Sequence, residues 1–154
     1  MATTYTNNWK NIIDKLIDVL SSEFGGALPV YRGHDNKKIA NQYLQLNPTG
    51  SDLIEYTVKQ EIREFSIQIL YYLLDSNIKE PTLDYIMNTI SRVESLIHDN
   101  TTMTYSWINP DNHTMTTEYA YNCRVESMEM NTGEDDNEYV VQWEWKCLHR
   151  TNLA

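Results

Sequence analysis

The chain has 154 residues, 41% of them hydrophobic and 22% charged, so it is long enough to bury a core without disulfides or metals. Its net charge of -10, from 12 basic and 22 acidic residues, repels phosphate. Lys37-Lys38 is the only adjacent basic pair, which argues against sequence-independent nucleic-acid binding. No window approaches the ~20 apolar residues of a membrane helix, and the N-terminus lacks the basic start and apolar run of a secretory signal.

One domain is expected over residues 1–154, with residues 1–8 polar and loose. Trp9, Ile12, Ile13, Leu16, Ile17, Leu20 and Phe24 then recur at helical spacing, opposite Asp14, Lys15, Asp18 and Glu23. Thr6, Asn7 or Asn8 can cap this helix, and Gly25-Gly26 can end it. Residues 28–31, with Pro29, suggest an edge strand, and residues 32–38 a polar loop. Residues 43–46 and 53–58 read as two short strands joined by a turn at Asn47-Pro48-Thr49-Gly50-Ser51.

The centre of the chain is residues 61–99. Phe65, Ile67, Ile69, Tyr71 and Leu73 alternate with Glu64, Ser66, Gln68, Leu70 and Tyr72, the period of a strand with one face on a core. After Asp75-Ser76-Asn77 and Pro81 the period becomes helical, with Leu83, Ile86, Met87, Ile90, Val93 and Ile97 as the apolar stripe. Residues 100–117 are rich in Thr and Asn, show no clear period and are expected as a long loop carrying Trp107. Two strands follow. Tyr119, Tyr121, Cys123 and Val125 alternate in the first, and Tyr139, Val141, Trp143, Trp145 and Cys147 in the second. A hairpin tip bearing Glu134, Asp135 and Asp136 separates them.

Helix, strands, helix, strands predicts an α+β fold. The expected form is a two-layer sandwich: a mainly antiparallel sheet with two amphipathic helices packed on one face. Cys123 and Cys147 fall on apolar sides and are expected as buried, reduced thiols, although pairing across neighbouring strands is left open. Leu70, Tyr72 and Val140 point away from the helix-covered face, and that apolar surface suggests contact with another subunit.

No catalytic, cofactor or metal constellation is legible. His34, His98, His113 and His149 are isolated and lack zinc-ligand spacing. No Ser sits in a nucleophile elbow and no Gly-rich loop precedes a helix. Asp14 and Asp18 lie one turn apart on a solvated helix face, which does not make a catalytic dyad. An enzyme is therefore not expected. A small acidic inhibitor or DNA mimic is a weaker alternative, because Lys and Arg dilute the carboxylates.

The order of elements resembles the tail terminator proteins of long-tailed bacteriophages, the ring-forming proteins that cap the tail tube. The matching features are the helix at 9–24, the short strand at 28–32, a hairpin, the long strand at 64–73, the helix at 83–97 and two closing strands. The runs Arg63-Glu64-Phe65-Ser66-Ile67-Gln68-Ile69 and Leu83-Asp84-Tyr85-Ile86 carry it most closely. The resemblance implies a structural virion protein, assembled in the host cytoplasm and located at the tail or neck. It implies a ring, hexameric in that family, that binds the last ring of the tail tube protein, stops tube growth and meets the head–tail connector. Another phage neck, connector or completion protein is the alternative within that class. On this reading Trp107, together with Arg32, His34, Lys37, Leu70 and Tyr72, would serve subunit or partner contact. Glu134, Asp135 and Asp136 would face the lumen and keep passing DNA from binding.

Overall fold

The computed structural model describes residues 6–33, 41–74, 80–109, 113–132 and 138–153. Helix α1 (Asn8–Phe24) begins where Asn7 accepts a hydrogen bond from the Lys10 amide through its side chain, so residues 7 and 8 belong to the helix start. Residues 1–5 lie outside the described residues. Gly25, at φ 59°, ends α1, and its N–H donates to the Ser21 carbonyl. A short 3-10 turn (Gly25–Ala27) leads into β1 (Val30–Arg32).

The remaining elements are β2 (Gln42–Tyr56), β3 (Gln60–Leu74), α2 (Glu80–Asp99), β4 (Met103–Ile108), β5 (Met115–Thr132) and β6 (Glu138–Asn152). The strands form one six-stranded sheet in the order β1-β2-β3-β6-β5-β4. Only β1 and β2 run parallel; the other four pairings are antiparallel. The α+β class therefore holds, with a mixed sheet that curls into a half-barrel.

The core follows the periodicities. Ile12, Ile13, Leu16, Leu20 and Phe24 of α1 join Ile86, Ile90, Val93 and Ile97 of α2 in one buried cluster with the sheet. In α2 the buried line is i, i+4, i+7, i+11, so Leu83 and Met87 fall on its flank and stay exposed. The strand contribution comes from one sheet face. Phe65, Ile67, Ile69 and Tyr71 of β3 stand opposite Cys147, Trp145, Trp143 and Val141 of β6 in register. The Trp143 indole N–H donates to Glu94 Oε1 at 3.1 Å and ties α2 to the sheet. Trp9 meets Phe65 edge-on, with ring centroids 4.7 Å apart, and ties α1 to it.

Three expectations are corrected. The turn expected at residues 47–51 does not form: β2 runs straight through it, with register irregularities between Pro48 and Gly50 and between Leu53 and Glu55. Pro48 is tolerated because β1 pairs only with Leu44 to Leu46, leaving β2 beyond that point as the sheet's outer edge among the described residues. The hairpin turn lies instead between β2 and β3, where Thr57 N–H donates to the Gln60 carbonyl.

The long loop expected at residues 100–117 is largely strand. Met103, Tyr105 and Trp107 of β4 face the core while Thr104, Ser106 and Ile108 are exposed, and β4 pairs with β5 from Met103↔Ala120 to Ile108↔Met115. Met103, Tyr105 and Trp107 alternate with Thr104 and Ser106 in the sequence itself, a short period-two signal hidden among the Thr- and Asn-rich residues on either side. The turn that remains is held by His113 N–H donating to the Asn109 carbonyl and Asn109 N–H to the Thr114 carbonyl.

The simple alternation expected in β5 also breaks. Ala120 and Cys123 are buried while Tyr119 is exposed, because register shifts after Tyr121 and after Val125 change which residues face the core.

Candidate interaction surface

In the β2–β3 hairpin the outer half of β2 forms an exposed arm, while β3 beside it stays paired with β6 as far as Gln60↔Asn152. On it Leu53, Ile54, Tyr56 and Val58 are 51%, 54%, 67% and 87% exposed. Every residue from 48 to 59 is exposed, and the outer edge of β2 beyond Leu46 has no strand neighbour among the described residues. Apolar side chains beside an unpaired backbone edge make a surface suited to accepting another chain. The sequence reading missed this arm, because a turn was expected inside it. Ile54, Tyr56 and Val58 alternate with Glu55, Thr57 and Lys59, so the side-chain pattern gives no sign that this half covers no core.

The opposite, polar face of the sheet carries a charged network across three strands. Arg124 of β5 donates to Glu64 of β3 at 2.8 Å and to Glu126 at 2.6 Å. Lys146 of β6 lies 3.5 Å from both Glu64 and Glu144. The Arg124 guanidinium beside Glu64 holds that carboxyl below its ordinary range, against the opposing effect of burial. Next to the network lies an open depression of 310 Å3 lined by Thr49, Gln68, Ser127, Glu129, Gln142, Trp143 and Glu144.

One buried histidine invites a chemical reading. His149 of β6 is 2% exposed, and its Nε2 lies 3.5 Å from Glu118 Oε2 without hydrogen-bonding geometry. The same carboxylate oxygen accepts a hydrogen bond from the Trp107 indole at 3.2 Å. Tyr105 stacks on the imidazole, with centroids 6.5 Å apart, and Phe65 meets it edge-on at 6.1 Å. Burial pushes the His149 pKa down, partly offset by Glu118. The imidazole thus packs between two rings at the edge of a cavity that Glu61, Arg63 and Thr151 also line. Among the described residues no three His, Cys, Asp or Glu side chains are grouped to hold a metal ion.

Among the described residues, those selected from sequence lie on different strands, β1, β3 and β4. Arg32 lies on the edge strand β1, exposed, and its guanidinium pairs with Asp14 at 3.0 Å. Trp107 is a half-buried strand residue packed against the core, not a loop anchor. Leu70 is half-buried, whereas Tyr72 is buried, stacking on Tyr43 with centroids 5.1 Å apart. The apolar patch expected on that face is correspondingly reduced. His34, Lys37, Glu134, Asp135 and Asp136 lie outside the described residues.

No protein-family model and no curated protein matches the chain. Among solved structures it is similar to a chain from the virion of a native gene transfer agent particle, with 12% sequence identity and a TM-score of 0.48. That alignment covers 94% of this chain and 95% of the other.

Proposed function

We propose that the protein is a structural component of a phage virion. In this reading it forms a ring on the end of the tail tube, stops tube growth and joins the tail to the head connector. The order of elements read from the sequence, which resembles that of tail terminators, supplies the family part of the reading, although the structure has one β2–β3 hairpin and three strands after α2. The observation that carries assembly is the β2–β3 arm, where Leu53, Ile54, Tyr56 and Val58 leave an apolar surface beside an open strand edge.

A ring of identical subunits needs a heterologous contact, in which one surface of a subunit meets a different surface of its neighbour. The arm supplies one such surface. Arg32, Leu70 and Trp107 retain exposed or half-buried area and stand as further contact residues. The acidic residues Glu134, Asp135 and Asp136 fit a lumen through which DNA passes without binding.

The test is the mass of the purified protein by light scattering, alone and with the tail tube protein of the same phage, with negative-stain images of both samples. Rings, or a ring-shaped cap on tubes, support the reading, and Ile54→Lys combined with Tyr56→Ser should abolish them. A strict monomer under both conditions overturns it.

A further inference from the structure

Cys123 and Cys147 are both free thiols, 2% and 0% exposed, on neighbouring strands. The pairing of β5 with β6 passes from Tyr121↔Leu148 directly to Arg124↔Lys146. Two β5 residues, Asn122 and Cys123, therefore face the single β6 residue Cys147. Asn122 absorbs the extra residue in the left-handed conformation, at φ 53°, and remains exposed. The irregularity turns Cys123 into the core beside Cys147. The Cys123 thiol also lies 3.5 Å from the Ala120 carbonyl oxygen, which it can reach as a donor.

We propose that Cys123 and Cys147 form an oxidative modification site, which a small peroxide closes into an intramolecular disulfide that staples β5 to β6. The pair is chemically unequal. The neighbouring Cys147 thiol favours a thiolate on Cys123, and the adjacent Arg124 adds to that effect. The same contact together with burial keeps Cys147 protonated. Cys123 is thus the attacking sulfur and Cys147 the resolving one.

With hydrogen peroxide, the Cys123 thiolate attacks one oxygen, the O–O bond breaks, and the departing hydroxide takes up a proton to leave as water. Cys123 becomes a sulfenic acid. The Cys147 sulfur then attacks the Cys123 sulfur, the S–O bond breaks, and a second water leaves with the Cys147 proton. Two thiols are oxidised and one peroxide is reduced to two waters. Neither sulfur is open to solvent, so the site selects a small oxidant over a bulky disulfide.

The experiment treats the native full-length protein with hydrogen peroxide and follows it by intact mass, thiol titration in denaturant and peptide mapping. The expected product is a monomer about 2 Da lighter, with no titratable thiol and with the Cys123 and Cys147 peptides linked. Cys147→Ala should instead accumulate a dimedone-reactive sulfenic acid on Cys123, and Cys123→Ser should show neither product. The wild-type peptide map decides the matter even if a variant fails to fold. Thiols that survive in native protein at peroxide levels that oxidise the unfolded chain overturn the proposal. So does linkage only between separate chains.

Discussion

The Tyr72 phenol donates a hydrogen bond of 2.6 Å to Glu138 Oε1, joining adjacent strands β3 and β6 beneath the polar face of the sheet. Both residues are buried, at 5% and 8% exposure, where simple alternation would place Tyr72 outside. The ring of Tyr43 stacks on Tyr72 and completes the cover. Tyr72→Phe keeps the ring contacts and deletes only the hydroxyl. It should lower the unfolding free energy by about 1–2 kcal/mol, measured by urea denaturation. No loss would show that this bond contributes nothing net.

Trp143 combines complete burial with the hydrogen bond to Glu94, so its removal acts on both the sheet and α2. Trp143→Ala should cost about 3–5 kcal/mol, mostly from the cavity left between α2 and the sheet. The check is the denaturant midpoint alongside far-UV circular dichroism at low denaturant. A loss under about 1 kcal/mol would mean that the neighbouring chains refill the space.

Acid should destabilise the protein in two stages. Burial lowers the His149 pKa from its ordinary 6.5, so the unfolded chain takes up a proton that the folded chain resists. Stability from this group is therefore fully present above about pH 6.5 and declines as pH falls below it. Glu64, held below its ordinary 4.5 by Arg124, adds a second loss below that value. Urea midpoints should fall between about pH 7.5 and about pH 5.5, and His149→Gln should flatten that interval. A midpoint that rises on acidification would contradict the burial of neutral His149.

The left-handed Asn122 tests the geometry of the β5 irregularity. Asn122→Gly should be nearly neutral, because glycine adopts φ 53° without a Cβ penalty. Asn122→Val should cost about 1–2 kcal/mol, since a β-branched side chain resists that conformation. Equal stability of the two variants, read by thermal unfolding, would mean that the strand relaxes into a regular ladder.

Much of the fold follows from local sequence. The helical stripes from Ile12 to Phe24 and from Ile86 to Ile97, and the strict alternation of Phe65 to Tyr71 and of Val141 to Cys147, each define an element and its buried face. These patterns are legible because a single side-chain period serves a single core. Where pairing rather than burial sets the conformation, the chain alone is silent. Pro48 and Gly50 have turn chemistry, yet they lie in a strand because β3 offers fifteen residues to pair along. Residues 103–107 do alternate, but the run is short and set among Thr, Asn and Pro, so its pairing with β5 is what marks it as a strand. The position of Cys123 against Cys147, the burial of Tyr72 and the open apolar arm at Leu53 to Val58 likewise depend on register and on where the sheet ends. Those are properties of strand pairing. They are decided by backbone hydrogen bonds and bulges between partner strands, which the side-chain pattern of one segment does not show.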